Sequence, residues 1–151
     1  MVTNTLNLNF LTPETLRPEV QAFADGFVTT LLHGGVALLM LMIGATIYSV
    51  LTPYKEIRQI RDGNSAAAVG YGGVIIGLAI PLAASIVAST SLAEIVLWGG
   101  ATLILQLLIF RIVDFLLAGL PARMSEGEVS AAVLLVAAKL AAALLLAATV
   151  Q

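Results

Sequence analysis

The sequence predicts an all-α membrane protein of four transmembrane helices, built as two tandem two-helix repeats in parallel orientation and preceded by a short N-terminal interfacial helix or tail. Three observations carry this expectation. Of the 151 residues, 60% are hydrophobic and only 11% charged, with a mean hydropathy of +1.03; soluble domains average roughly 25% charged. The apolar residues fall in runs that reach the ~20 positions a helix needs to cross a bilayer. Asp62-Gly63-Asn64-Ser65-Ala66-Ala67-Ala68-Val69 aligns without a gap on Glu126-Gly127-Glu128-Val129-Ser130-Ala131-Ala132-Val133, and the same offset sets Gly35 on Gly99 and Ala37 on Ala101. The chain accordingly divides into an N-terminal segment (residues 1–26), a first two-helix repeat (27–88) and a second (89–151).

The N-terminal segment carries Glu14, Glu19 and Asp25 against a single Arg17. A cleaved signal needs a basic start and a shorter apolar stretch, so the run that follows is expected to be retained. Thr12-Pro13-Glu14 offers an N-cap, a first-turn proline and an acidic residue at a helix start. A short interfacial helix over 14–24 with Leu16, Val20 and Phe23 on its apolar side, or a loosely ordered tail, satisfies this pattern.

Phe27 to Leu51 is the first expected span. Its one ionisable residue, His33, lies near the N-terminal end. A lone imidazole without evident partners reads as an interfacial group reaching headgroup water rather than a relay or ligand. Pro53 stops this helix, and Tyr48 and Tyr54 bracket its end as interfacial anchors. The loop Thr52–Asn64 holds Lys55, Arg58 and Arg61, partly offset by Glu56 and Asp62. The positive-inside rule puts it in the cytoplasm, where it also offers a surface to anionic lipid or an acidic partner.

Ser65 to Ala88 is the second span. Gly63 allows a tight entry and Asn64 is a good N-cap, so Gly63, Asn64 and the matching Gly127 mark the repeat turns. At 100° per residue, Ala66, Gly70, Gly73, Gly77, Pro81, Ala84 and Ala88 fall within about 60° of one direction, with Val69, Val74, Ile76, Leu82 and Ile86 pointing elsewhere. Gly73 and Gly77 form a GxxxG pair in this row. Helices in lipid associate through close backbone approach, so this face is expected to be the closest-packed seam. Pro81 removes one intrahelical bond and is expected to bend the helix.

Leu92 to Ala118 is the third span, with Trp98 near its outer end and Gly99, Thr102 and Gln106 on one face, Asp114 at its margin. Arg111 and Asp114, three residues apart, are placed to pair with each other and snorkel. Pro121–Glu128 forms the second cytoplasmic loop, with Arg123 opposed by Glu126 and Glu128. Val129 to Val150 is the fourth span, and Lys139 lies at its centre. A charged side chain there costs roughly 2.5–3.5 kcal/mol on insertion scales, so Lys139 is expected to face protein or water. Gln106 lies at similar depth, and Asp114 is within reach of an extended lysine stem. Two readings stay open: a coupling or permeation site, or a lysine neutralised or paired with Asp114 inside the bundle.

Thr52-Pro53-x-x-Glu56-Ile57, Ile60-Arg61-x-Gly63-Asn64-x-Ala66-Ala67-Ala68, Gly77-Leu78-Ala79-Ile80-Pro81-Leu82, and Trp98 followed by Gln106-Leu107 resemble the YjfL-like family of bacterial inner-membrane proteins, a family of unknown function numbered 350. The resemblance covers roughly residues 28–149. It implies a small four-helix membrane protein with an internal duplication, and a setting in envelope stress or membrane maintenance; it implies no activity. The chain departs from the family pattern at Leu145-Leu146-Ala147-Ala148, where the family often carries Leu-Asn-Ala-Ala, and in its longer N-terminal extension.

Net charge is −2 and cysteine is absent, so a nucleic-acid face, disulfides and thiolate metal sites are all excluded. Gly70-Tyr71-Gly72-Gly73 lacks the Lys-Ser/Thr of a phosphate loop and lies inside an apolar span. One histidine and no carboxylates paired at one depth leave no acid/base pair, nucleophile or metal site. No cofactor and no enzymatic activity are expected. The leading expectation is a non-catalytic subunit of the bacterial inner membrane with both termini extracytoplasmic, partnered by lipid and by itself or other membrane subunits. The alternative is a small ion or solute channel or transporter with its pathway near Lys139, Gln106, Asp114 and Pro81.

Overall fold

A computed structural model describes residues 13–150, with side chains from Pro18 onward except that of Asp25. The tail before Pro13, including the expected cap Thr12, lies outside the described residues. Six helices follow in order: α1 (Pro13–Leu51), α2 (Glu56–Arg61), α3 (Ser65–Ala88), α4 (Leu92–Leu116), α5 (Leu120–Ser125) and α6 (Val129–Ala147). Among the described residues four helical stretches are long and apolar enough to cross a membrane: Pro18–Leu51, Ser65–Ala88, Leu92–Leu116 and Val129–Ala147. Residues 14–24 do not form an element of their own. They run without a break into the first span: α1 is one helix that contains both Pro18 and Gly26, so the Glu14 carbonyl goes without the amide that Pro18 lacks while the ladder continues on either side.

Each connection between spans at one end of the bundle contains a six-residue helix rather than a plain loop. Lys55 precedes α2 with φ 49° and Gly119 precedes α5 with φ 96°, while Gly63 and Gly127 follow them with φ 90° and 97°. Left-handed residues turn the chain sharply at both ends of these short helices. Asn64 then caps α3: its Oδ1 accepts from the Ala67 amide at 3.0 Å, while its Nδ2 donates to the Ser125 and Met124 carbonyls at 3.0 and 3.3 Å. One side chain thus starts a helix and ties it to the end of α5. On the surface, Arg123 forks onto the Glu128 carboxylate, which holds that carboxyl below its usual range. Ser91 caps α4 in the same manner as Asn64, accepting from the Glu94 amide at 3.3 Å.

Helix α3 is the packing centre. Its most extensive contact is with α6, followed by α4 and α1. Ala66, Gly70, Gly73, Gly77 and Pro81 are buried. A Cβ added at Gly73 would overlap the Val136 side chain of α6, one at Gly70 the Met124 side chain of α5, and one at Gly77 would lie 2.7 Å from Cζ of Phe110 on α4. Val74 and Leu82, placed by helical angle away from this row, are also buried. Val74 and Leu78 join Tyr48, Leu103, Leu107 and Phe110 in one apolar cluster. α3 is enclosed on two sides, which a single-face reading of an amphipathic helix misses. Pro81 leaves α3 a single continuous helix, and the Ser85 hydroxyl donates to its carbonyl at 3.0 Å.

Candidate functional site

The site is built from the buried faces of α6, α4 and α1. On α6, Ala131, Leu135, Lys139 and Ala143 repeat every four residues and are all buried, so helix geometry alone carries Lys139 inward. On α4 the buried row is Gly99, Thr102, Leu103, Gln106, Leu107 and Phe110, with Asp114 one turn beyond. On α1, Ala37, Gly44, Ala45 and Tyr48 share the inward face; the small residues bring α1 close enough for the Tyr48 ring to enter the bundle.

Lys139 is 1% exposed. Its Nζ lies 2.7 Å from Asp114 Oδ1 and donates to the Tyr48 hydroxyl at 2.9 Å. The ammonium also sits 4.9 Å from the centre of the Tyr48 ring and 5.4 Å from that of Phe110, while the two rings meet edge to face at 6.1 Å. An opposite charge, a hydrogen bond and two π faces replace the water this cation would have had. The Tyr48 hydroxyl in turn donates to Oε1 of Glu56 at 3.2 Å, so Asp114, Lys139, Tyr48 and Glu56 form one continuous polar chain. Glu56 opens α2 and is 3% exposed. Burial lifts its carboxyl above the usual carboxylate range, against the opposing pull of Lys139.

Several expectations are corrected here. Tyr48 is not an interfacial anchor: it is 2% exposed, because the Lys139 and Glu56 bonds satisfy its hydroxyl inside the bundle. Glu56 does not dilute the loop's surface charge, since the left-handed turn at Lys55 aims it back beneath α1. Asp114 pairs with Lys139 and not with its helix neighbour Arg111, which is exposed; the buried cation is the stronger claimant in a low dielectric. Gln106 is fully buried, but both of its amide atoms lack hydrogen-bond partners among the described residues, so it is not bonded to Lys139. One turn further from Lys139, Ser85 and Thr102 share a hydrogen bond of 3.2 Å across α3 and α4. Lys55, Arg58 and Arg61 are exposed, Arg58 lying 4.0 Å from Asp62.

The missed members, Tyr48 and Glu56, leave one trace in the sequence. Ala37, Gly44, Ala45, Tyr48 and Thr52 recur at helical spacing, a small-residue face that ends on a polar pair. A cleft of about 240 Å³ lies beside the chain at the α2 and α5 end, walled by Tyr48, Tyr54, Glu56, Arg111, Asp114 and Phe115 among others. The arrangement holds one buried cation between two carboxyl groups, Asp114 at one end of the chain and Glu56 at the other, and both ends border the cleft. Among the described residues no three His, Asp or Glu side chains cluster as a metal site.

The family model described as Domain of Unknown Function (DUF350) matches residues 22–150. The chain belongs to that family. This DUF350 protein is 35% identical over 75 residues to the UPF0719 inner membrane protein YjfL of Escherichia coli (strain K12), an alignment covering 50% of this chain and 57% of that one. It is 35% identical over 81 residues to the UPF0719 transmembrane protein YshE of Bacillus subtilis (strain 168), covering 54% and 60% respectively. The chain thus spans less than two thirds of the length of the curated relatives it matches. No solved structure matches it. With four apolar spanning helices and inner-membrane relatives, the DUF350 chain is an integral inner-membrane protein.

Proposed function

We propose that this DUF350 protein is a non-catalytic membrane subunit, acting as an oligomer or within a larger complex, and that its buried charge chain fixes the register of the bundle. The observation that carries this reading is the enclosure of Lys139: its charge is consumed by partners on α4 and α1 and is not offered to a pathway. Single buried polar groups are best attested as devices of register and specificity. The contact surface we assign is the N-terminal half of α1, where Val20, Phe23, Phe27, Val28, Leu31 and Leu32 are all exposed. Envelope maintenance is the setting that the family resemblance implies. Native mass measurement in mild detergent, with co-purifying proteins identified, is expected to give an assembly heavier than the 15.7 kDa chain; a strictly monomeric protein without companions would count against it.

The topology we assign has parallel two-helix repeats, both α2 and α5 cytoplasmic and both termini extracytoplasmic. Support comes from the recurrence, 64 positions apart, of two six-residue helices each flanked by left-handed residues, and from the exposed Lys55, Arg58 and Arg61. A cysteine introduced as Arg58→Cys is expected to react with a membrane-impermeant reagent only after the cytoplasmic side is opened. Reaction from the periplasm of intact cells would overturn the assignment.

A second reading, a channel or transporter, is favoured by one observation. Gln106 and Thr102 share a face of α4 with Asp114 at its margin, and the buried amide of Gln106 is unpartnered among the described residues, as a residue that meets passing water or solute would be. Reconstituted vesicles separate the two readings: ion flux abolished by Gln106→Leu supports a pathway, and flux equal to that of empty vesicles supports the subunit.

A further inference from the structure

The cleft beside the charge chain has its own chemistry. Glu56 divides its carboxylate: Oε1 accepts from Tyr48, while Oε2 is buried without any hydrogen-bond partner. A carboxyl oxygen shut away from both water and donors is costly, so it awaits a donor. Asp114, which also lines the cleft, is already engaged by Lys139 at 2.7 Å. One turn before Asp114 on α4, Arg111 also lines the cleft; it is exposed and has no ion pair among the described residues. The site therefore presents one carboxyl oxygen without a donor and one cation without an ion pair.

Position narrows the ligand further. The cleft lies where α1 ends at Leu51 and α4 at Leu116, the level of the lipid headgroups for helices of this length. Its aromatic walls are Tyr48, Tyr54 and Phe115, surfaces that attract an ammonium through their π faces. Phe115 and Leu116 are 81% and 72% exposed, giving an apolar bank directly beside the polar site. A volume of about 240 Å³ is below the ~300 Å³ at which drug-sized pockets begin, so it suits a small headgroup whose tails stay outside.

We propose that this cleft binds the zwitterionic headgroup of an ethanolamine phospholipid, the ammonium donating to Glu56 Oε2 against the tyrosine rings, the phosphate pairing with Arg111, and the acyl chains lying along Phe115 and Leu116. The site shares Glu56 with the buried charge chain but is independent of the subunit reading, since lipid binding is measured on the isolated chain. Arginine matches phosphate through its planar fork of donors, and the ammonium gives the orphaned oxygen the donor it lacks. A glycerol headgroup would satisfy Arg111 alone.

The test is native mass spectrometry of the purified full chain in mild detergent, offered equal amounts of short-chain phosphatidylethanolamine and phosphatidylglycerol. Wild type is expected to retain the ethanolamine lipid about tenfold better, the value of one charge-assisted hydrogen bond. Glu56→Gln keeps an acceptor for Tyr48 and is expected to abolish that preference while leaving phosphatidylglycerol binding intact. Arg111→Gln, a change at an exposed position that spares the fold, is expected to weaken both lipids. Equal retention of the two lipids by wild type, or a preference surviving in Glu56→Gln, would overturn the proposal. Free phosphoethanolamine is expected not to compete at concentrations comparable to the lipid; effective competition would overturn the lipid as the source of the headgroup.

Discussion

Gly73→Leu is expected to leave little monodisperse protein in detergent, whereas Ile76→Leu, three residues along the same helix, behaves as wild type. The reason is local. At Gly73 even a Cβ meets the branched Val136 side chain, which is stiff about χ1 and has no alternative rotamer to yield into within a helix. Overpacking an established interior costs typically about 1–3 kcal/mol and more when neither backbone gives way, and here both partners are spanning helices in their most extensive contact. Ile76 is 54% exposed, facing outward where one branched chain replaces another. The row is graded: Gly70→Ala presses on the thioether of Met124, a flexible chain that can move aside, so it should lower the melting temperature less than Gly73→Ala. Matching melting curves for Gly73→Leu and Ile76→Leu would remove the basis for this order.

The second large effect lies at the buried pair. Lys139→Met leaves the Asp114 carboxylate and the Tyr48 hydroxyl without their shared donor, and Asp114→Leu leaves an ammonium enclosed among rings and aliphatic chains. Breaking one side of such a pair is strongly destabilising, by about 3–5 kcal/mol, whereas replacing both sides by apolar residues of similar volume is often neutral. The double variant Lys139→Met/Asp114→Leu is therefore expected to unfold nearer to wild type than either single change in a denaturant titration. The non-additivity is the signature of a direct pair. If the two single effects simply sum in the double variant, the pair is not the unit of stability that its 2.7 Å separation indicates.

Parts of this arrangement were legible in the sequence and parts were not, for reasons that differ by residue. The direction of Gly70, Gly73 and Gly77 follows from 100° per residue, because a straight helix carries its periodicity in the sequence. The inward course of Lys139 follows from the cost of showing a charge to lipid. Tyr48 and Glu56 are another matter. Their meeting depends on the left-handed conformation of Lys55, a backbone state that nothing in Thr-Pro-Tyr-Lys-Glu announces and that lysine rarely adopts. Arg111 and Asp114 satisfied the spacing rule for a helical pair, yet long-range geometry gave Asp114 a better partner. Burial of Val74 and Leu82 was hidden by the number of neighbours: a helix central to a bundle has more than one inward face, and no single direction of apolarity marks it.

The length of the first helix has a consequence for distance. With 39 residues against the 24 of α3, α1 is about 20 Å longer than the helix it packs against. Because the buried positions of α1 all lie from Ala37 onward, that excess extends past the end of the helix it packs against, and a tilt of the bundle is magnified at its tip into a sideways sweep.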